Sequence, residues 1–272
     1  MVFFSTCKIN IGLHIINKRD DGYHNIETIF YPIGLKDAVE IVPADTAGVN
    51  FTTTGNSINI AAEDNICVKA YYLLKAHYPL LPGINMHLHK VIPMGAGLGG
   101  GSGNASAVLL LLNKLFNLQL STDALLAYAL QLGSDCPFFI INKPCIATAR
   151  GELLTAIKLD LSPYKILLIT PPIHVSTQQA FAQLNPNLFS KKCTLASCIM
   201  LPINTWKDEI KNDFESTVFV AHPQLQVIKE KLYQAGAIYS AMSGSGSTVY
   251  AIFNADAVPQ INFPNNYSCH LI

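Results

Sequence analysis

The stretch KVIPMGAGLGGGSGNASAVLLLL, residues 90–112, joins a proline turn, a glycine-rich loop and a strongly apolar helix. Five glycines fall within positions 95–101. Because glycine has no Cβ, this backbone can adopt positive φ angles and approach a ligand closely. The helix that follows leaves its first N–H groups without backbone partners and points its positive dipole end at the loop. Bare amides at a helix N-terminus bind anions, so the stretch predicts a cradle for the phosphates of a nucleoside triphosphate.

Two widespread nucleotide-binding loops fit this stretch less well. Its glycines satisfy the spacing G-x-G-x-x-G, which alone is a weak signal. A dinucleotide-binding fold would need a second strand that ends in an acidic residue about 20 residues later, whereas the sequence continues into another helix near Ser121. A P-loop would need a lysine before Ser102, and this residue is Gly101. A plain turn between strand and helix is the remaining alternative, although such a turn rarely needs five glycines.

Composition narrows the class of protein. Of the 272 residues, 50% are hydrophobic and 13% are charged, and the formal net charge is zero, which argues against electrostatic capture of nucleic acid or of an anionic membrane. The seven cysteines form no C-x-x-C pair and predict reduced thiols instead of a disulfide framework or a zinc site. The first residues, MVFFSTCK, do not resemble a signal peptide, and the apolar run 105–112 is too short to span a bilayer. We expect a soluble, cytoplasmic protein that binds neither nucleic acid nor membranes.

Local patterns predict the elements of the first half. Alternation from Phe3 to Ile16 indicates a half-buried strand with Lys8 and Asn10 on the same face. For Lys8, an ordinary place on a solvated face and a functional role fit the pattern equally well.

After the helix-ending Gly133, Asp135 precedes an apolar segment that we predict to be a strand. A carboxylate in such a poorly solvated corner tends to have a raised pKa unless a cation partners it, and the alternative is an Asx turn. Further strands are predicted over 26–31, 37–42, 58–61, 84–88 and a hairpin over 147–154, with helices over 65–77 (capped by Asp64), 104–117 and 121–132.

The pattern restarts near Thr155, and we place a domain boundary there, giving domains 1–155 and 156–272. The second half is predicted to contain strands over 164–170, 236–241 and 248–253, helices over 176–184, 194–200, 212 onward and 223–235, and a loop over 185–192. Its glycine-rich stretch Ser243-Gly244-Ser245-Gly246-Ser247 fits a second phosphate contact and a tight strand connection equally well.

Several of these motifs resemble one known family. The stretch 93–102 resembles the phosphate loop of the GHMP kinases, a superfamily named after galactose, homoserine, mevalonate and phosphomevalonate kinases. Residues 7–13 (CKINIGL) and 244–246 (GSG) resemble its two other motifs. Four stretches resemble the branch whose substrate is a methylerythritol carrying cytidine diphosphate: DGYH (21–24), EDN (63–65), GSDCPF (133–138) and NDFE (212–215). The resemblance extends in order over essentially the whole chain.

The resemblance implies a two-domain α+β kinase of the GHMP fold. Its N-terminal domain would be ribosomal protein S5-like and bind ATP, its C-terminal domain would be ferredoxin-like, and the active site would lie in the cleft between them. The implied reaction is ATP-dependent phosphorylation of the 2-hydroxyl of the methylerythritol moiety in non-mevalonate isoprenoid biosynthesis, with Mg²⁺ as the metal. The expected partners are therefore small molecules, ATP and a cytidine diphosphate-linked alcohol, and the chain is expected to be a monomer or weak homodimer.

The resemblance also implies roles for individual residues. Asp135 would take the hydroxyl proton and Lys8 would offset charge on the transferring phosphoryl group. The cytosine ring would stack between Tyr23 and Phe181. ATP would bind at Pro93, Met94, Gly95, Ala96, Gly97, Leu98, Gly99, Gly100, Gly101, Ser102, Gly103 and Asn104. The substrate would bind at Asn10, Tyr23, His24, Lys90, Thr177, Phe181, Gly244, Ser245 and Gly246. At position 103 the family usually has a serine where this chain has glycine, so metal ligands are left unassigned.

The sequence supports three other functions less well. A different GHMP kinase, of the mevalonate or homoserine type, would have no base to stack on Tyr23 and no use for His24. A nucleotide-binding regulator without catalysis would not need Lys8, Asp135 and both glycine loops together. A nicotinamide-dependent oxidoreductase would need the acidic residue and the parallel strand pattern that this sequence lacks.

Overall fold

The computed structural model describes residues 1–184, 194–257 and 259–272, so the loop predicted over 185–192 lies outside the described residues. The chain forms two compact units that interleave along the sequence. Unit 1 comprises residues 1–7, 32–94 and 99–143, and unit 2 comprises residues 8–31, 95–98 and 144–272. The predicted domains are contiguous instead, and their boundary at residue 155 remains a prediction.

The described residues form both strands and helices, with several runs of consecutive strands or helices. The strands are β1 (Val2–Lys18), β2 (His24–Ala44), β3 (Val49–Gly55), β4 (Gly83–Lys90), β5 (Cys145–Thr148), β6 (Leu153–Ala156), β7 (Tyr164–Thr170), β8 (Tyr239–Met242), β9 (Val249–Asn254) and β10 (Ser268–Leu271). The helices are α1 (Ile66–His77), α2 (Gly100–Leu115), α3 (Thr122–Leu132), α4 (Cys136–Ile141), α5 (Thr177–Ala182), α6 (Leu195–Cys198), α7 (Trp206–Glu209), α8 (Glu215–Ala221) and α9 (Pro223–Gln234). None of the helices in these described ranges is long and apolar enough to cross a membrane.

Unit 1 packs helices on a small sheet. In it, β2 pairs antiparallel with β4 through residues 38–44, and β4 pairs in parallel with β3. The apolar core includes Ile41 and Met86 from the sheet, Leu74 from α1, and Val108 and Leu112 from α2, all buried. Burying such side chains contributes roughly 1.5–3 kcal/mol each, and this core holds α2 in place behind the glycine loop.

Three predictions for this unit are wrong in detail. Helix α2 begins at Gly100, not near Asn104, because Gly99 with φ +66° provides its N-cap. Helix α1 is capped by Asn65, whose side chain accepts a hydrogen bond from the Cys67 N–H, and not by Asp64. The strand predicted over 58–61 is absent from the described structure, and the unpredicted strand β3 lies earlier, because its exposed threonine-rich sequence VNFTTTG shows no apolar alternation.

The segment after Asp135 is also not the predicted strand but helix α4. A short apolar run such as CPFFII cannot be assigned to strand or helix by periodicity alone. Pro137 lies in the first turn of α4, where its missing N–H costs no hydrogen bond. Asn142 ends the helix in the left-handed region at φ 48°, as a short polar side chain readily does.

Unit 2 is built around an antiparallel sheet in the order β10-β7-β9-β8. Its core takes Leu225 and Leu232 from α9 and Val249 and Phe253 from β9. The predicted hairpin is confirmed as β5–β6, which continues on to residues 28–30 of β2. The predictions of β7, of a strand ending near Phe253 and of a helix opened by Pro223 are confirmed, and β10 was not predicted.

Strand β1 is more buried than its alternation suggests. Residues 7–15 are all buried, including Lys8 and Asn10, so the prediction of a half-buried strand is wrong. The polar face of β1 is covered within unit 2, where the Asn10 N–H donates to Ser243 Oγ at 3.2 Å. A polar face that is buried must find hydrogen-bond partners, and these partners define the site described below.

The prediction of reduced thiols is confirmed for Cys7, Cys67, Cys136, Cys145 and Cys269, but it is wrong for Cys198, which is disulfide-bonded. Burial raises the pKa of Cys67, Cys136 and Cys145 to about 12. Thiols with such pKa values stay protonated and unreactive at neutral pH, so these three serve packing.

Candidate active site

The two glycine loops contact each other within unit 2. Ser243 Oγ donates to the Gly97 carbonyl at 2.8 Å, and the Thr248 N–H donates to the Ala96 carbonyl at 3.1 Å. Gly97 has φ +76°, and a Cβ added there would lie 1.9 Å from the Ser243 carbonyl oxygen. Only glycine allows this approach, so residues 95–98 and 243–247, far apart in sequence, form one continuous backbone surface.

Lys8 and Asn10 lie beside this surface. The Lys8 ammonium donates to Asn10 Oδ1 and lies 4.8 Å from the centroid of the Phe30 ring. Asn10 Nδ2 donates to Thr28 Oγ1 at 2.9 Å, and Thr28 in turn donates to the Gly12 carbonyl at 2.6 Å. This chain of hydrogen bonds fixes which way the Asn10 amide points, and its oxygen therefore faces Lys8.

The electrostatics of this corner favour an anion. Lys8 is only 3% exposed, and within unit 2 an amide oxygen and an aromatic face hold its ammonium. A buried ammonium attracts anions strongly because the local dielectric constant is low. Together with the bare backbone of the glycine loops, the corner offers donors of the kind that stabilise phosphate oxygens.

A second group of predicted residues lies around α5. Ser176 caps α5, and Thr177 Oγ1 lies 2.8 Å from Ser245 Oγ, which joins the helix start to the second glycine loop. One turn later, the Phe181 ring stacks on His24 with centroids 4.9 Å apart and planes 16° apart. Burial lowers the pKa of His24, and repulsion from the positive charge of Lys18 lowers it further. This imidazole is therefore neutral at neutral pH and suited to stacking.

The Tyr23 ring lies against Arg150 and not against Phe181. Tyr23 is 56% exposed, and the centroid of its ring lies 5.1 Å from the Arg150 guanidinium carbon. Arg150 in turn donates from Nε to Glu152 Oε1 at 3.2 Å. His24 already covers one face of Phe181, so the predicted stacking of a cytosine between Tyr23 and Phe181 stays a prediction.

Two contacts of the glycine loops escaped the sequence reasoning. Asn212 Nδ2 donates to the Met242 carbonyl at 2.7 Å and to the Gly244 carbonyl at 2.8 Å, which fixes the second loop. A Cβ on Gly95 would lie 3.1 Å from His174 Nδ1. The motif NDFE marked Asn212 only as a helix start, and nothing in the local sequence pairs His174 with a loop some 80 positions earlier.

Unit 1 contains the start of α2 and the predicted base, Asp135. Asp135 is half-buried at the N-cap of α4, and its side chain makes no capping hydrogen bond. Ser106 of α2 donates to the Cys136 carbonyl at 2.7 Å. The backbone next to Asp135 is thereby held directly against α2.

Lys90 and the Asn104 side chain occupy unexpected positions. Both are buried in unit 1, where the Lys90 ammonium pairs with Asp37 and Asn104 Nδ2 donates to the same carboxylate at 2.9 Å. Their predicted contacts with substrate and ATP remain predictions. Among the residues that the structure describes, no cluster of three His, Cys, Asp or Glu side chains could hold a metal ion, and metal ligands stay unassigned.

Comparison with known families agrees with this geometry. Residues 65–143 match the family described as GHMP kinases N terminal domain, and residues 181–262 match the family described as GHMP kinases C terminal. The predicted two-domain α+β fold is therefore confirmed as the GHMP kinase fold, and a kinase of this class uses ATP.

Full-length relatives narrow the family further. The chain is 48% identical over 270 residues to the 4-diphosphocytidyl-2-C-methyl-D-erythritol kinase of Azobacteroides pseudotrichonymphae, with 99% of each chain covered. It is 46% identical to the enzyme of the same name from Bacteroides thetaiotaomicron, covering 99% of this chain and 98% of that one. A crystal structure of 4-(cytidine 5'-diphospho)-2C-methyl-D-erythritol kinase superposes with a TM-score of 0.81 at 28% identity, covering 93% of this chain and 90% of that one. The chain belongs to the family of 4-diphosphocytidyl-2-C-methyl-D-erythritol kinases.

Proposed function

We propose that this chain transfers the γ-phosphoryl group of ATP to the 2-hydroxyl of 4-diphosphocytidyl-2-C-methyl-D-erythritol. The products are the 2-phosphate and ADP, and the reaction serves non-mevalonate isoprenoid biosynthesis in the cytoplasm. The observation that carries the proposal is the contact between the two glycine loops beside Lys8 and Asn10. This contact occurs in a chain 46–48% identical, over nearly its full length, to kinases of that name.

The proposed chemistry needs positioning and charge stabilisation more than covalent catalysis. The substrate 2-hydroxyl oxygen forms a bond to the γ-phosphorus while the bond from that phosphorus to the bridging oxygen of ADP breaks. Asp135 accepts the hydroxyl proton, and the Lys8 ammonium offsets negative charge on the phosphoryl group. Backbone N–H groups of the glycine loop and of the first turn of α2 bind the ATP phosphates.

Mg²⁺ would arrive bound to ATP. It keeps most of its ligands as waters and phosphate oxygens and takes only one or two from a protein. Such an ion would neutralise phosphate charge, and its protein ligands stay unassigned. The roles of the protein residues above are independent of which oxygen contacts it.

The substrate residues follow from their neighbours. Thr177, whose hydroxyl lies in hydrogen-bond contact with that of Ser245, would donate to the diphosphate or the alcohol. Phe181 provides an aromatic face for the cytosine, and His24 provides nitrogens for its polar edge once the ring stack between them opens. Base–aromatic stacking is worth about 1–3 kcal/mol per base, enough to select a cytidine-bearing alcohol over mevalonate or homoserine.

The test is a coupled ADP-release assay with ATP, Mg²⁺ and each of three alcohols: the cytidine compound, mevalonate and homoserine. We expect turnover with the cytidine compound only. Asp135→Asn should lower kcat by about 10²–10⁴-fold and leave substrate binding largely intact. Asp123→Asn, which removes an exposed carboxylate in the first turn of α3, is the matched control and should be as active as the parent. Turnover with another alcohol would overturn the substrate assignment, and near-normal kcat in Asp135→Asn would exclude Asp135 as the base.

A further inference from the structure

A single buried carboxylate binds the two segments that flank the phosphate loop. Asp37 in β2 is fully buried, and its Oδ1 accepts from the N–H groups of Val91 at 2.7 Å and Ile92 at 2.8 Å. Its Oδ2 accepts from the Lys90 ammonium and from Asn104 Nδ2. Val91 and Ile92 lead into the loop, and Asn104 lies in the second turn of α2 just after it. The carboxylate therefore fixes the distance between the entrance and the exit of the loop.

The network continues beyond Asp37. Asn104 Nδ2 also donates to Ser5 Oγ in β1 at 2.7 Å, so the start of α2 is tied to two strands. A Cβ on Gly100 would lie 2.9 Å from Lys90 Nζ, which places this ammonium directly against the first residue of α2. A cation at the positive end of a helix is unfavourable by itself, and the Asp37 carboxylate offsets its charge there.

Stability alone is a poor reason for such an arrangement. A buried ion pair often contributes no more to folding than apolar side chains of the same size, whereas removing one partner is strongly destabilising. What four donors on one carboxylate do supply is a defined geometry for the groups that they come from. Pre-formed backbone amides bind phosphate well only if they are held in place.

We propose that Asp37, Lys90 and Asn104 are positioning residues that hold the phosphate loop in its ATP-binding geometry. Lys90 acts through Asp37 as an internal counter-ion and not as a contact for the alcohol substrate. The inference rests on the proposed function, because it assigns ATP to this loop. A misplacement of about 1 Å at such a site can cost on the order of 10²-fold in rate, so the network controls ATP use without touching the alcohol.

The test compares variants of the network with a variant of the surrounding core. Asn104→Ala and Lys90→Met should raise the Kd for ATP by about 10- to 100-fold, with the KM for the cytidine alcohol unchanged. Lys90→Arg, which keeps the positive charge, should recover most of the affinity lost in Lys90→Met. Val39→Ala is the matched control, since Val39 is a fully buried residue of the same strand β2. It should lower stability by a comparable amount and leave the Kd for ATP unchanged.

Equilibrium titration with ATP in the absence of the alcohol separates the outcomes. If the parent chain binds ATP and the network variants bind it equally well, the positioning role is refuted while the proposed function stands. An equal loss of ATP affinity in Val39→Ala would also refute it, because the effect would then reflect stability alone. If the parent chain binds no ATP, the proposed function and this inference both fail.

Discussion

Replacing Gly97 by alanine should separate the two glycine loops. Gly97 has φ +76°, and an added Cβ would lie 1.9 Å from the Ser243 carbonyl oxygen and 3.1 Å from that of Gly246. The first distance is far inside van der Waals contact, and both atoms belong to backbone, which cannot rotate away. Gly101→Ala offers a matched control in the same glycine run, since its Cβ would meet only Ile66 Cγ2 at 4.0 Å.

The expected magnitudes follow from two known costs. A left-handed conformation costs a non-glycine residue about 1–2 kcal/mol, and overpacking costs typically about 1–3 kcal/mol, so Gly97→Ala should lose about 2–5 kcal/mol. Gly101 lies inside α2, where alanine is favoured over glycine by roughly 0.5–1 kcal/mol. Because about 1 kcal/mol shifts the melting temperature of a domain of this size by about 2–4 °C, the two variants should move in opposite directions.

Thermal unfolding followed by circular dichroism measures this difference, and ATP titration measures its consequence for function. Gly97→Ala should melt about 4–20 °C lower and lose ATP binding, whereas Gly101→Ala should melt at the parent temperature or slightly above. A Gly97→Ala protein with parent-like melting and ATP affinity would refute the loop contact. The same refutation follows if the two variants behave alike.

Three further perturbations test other parts of the site. Asn212→Ala leaves two backbone carbonyls at the second glycine loop without their donor and should cost about 2–3 kcal/mol in urea unfolding; Asn50→Ala, on the exposed sheet surface, should stay within about 0.5 kcal/mol. Burial lowers the pKa of His14 below its usual 6.5. As the pH falls below 6.5, the unfolded chain therefore takes up a proton at His14 before the folded chain does, and the free energy of unfolding should decrease by up to about 1.4 kcal/mol per pH unit. Urea unfolding of His14→Gln should show a flatter pH dependence. Phe181→Leu should raise the KM for the cytidine substrate by about 5- to 150-fold, the equivalent of about 1–3 kcal/mol of stacking, with the KM for ATP unchanged; equal changes in both KM values would contradict a role specific to the base.

Local signals predicted the elements that local physics determines. Ser121 caps α3 as expected, with its hydroxyl accepting from the Ala124 N–H at 3.2 Å. The turn at residues 149–152 and the glycine stretch before β9 also lie where turn chemistry placed them. The misassigned α4 shows the limit of such signals, since six apolar residues fit a strand and a helix equally well until packing decides.

The site itself depends on contacts that no local pattern specifies. Asn10 bonds to Ser243 across 233 positions, and the close approach of Gly97 to that loop becomes visible only in three dimensions. The glycines of both loops could be recognised as unusual from the sequence, because glycine signals special backbone geometry. The sequence could not show which segment each glycine approaches, because the approached atoms belong to the backbone, which is the same in every residue.

Lys90 shows why a charged residue beside a binding loop is the hardest to interpret. A lysine at the end of a strand, three positions before the proline of a phosphate loop, has the chemistry of a ligand contact. The same chemistry suits an internal counter-ion, and its partner Asp37 lies 53 positions earlier in an unremarkable strand. Burial separates the two roles: at 2% exposure, with its charge already matched, the Lys90 ammonium has little capacity left to bind a ligand directly. Its influence on ATP must therefore pass through the backbone that it helps to hold, and this is the distinction that Lys90→Arg and Lys90→Met measure.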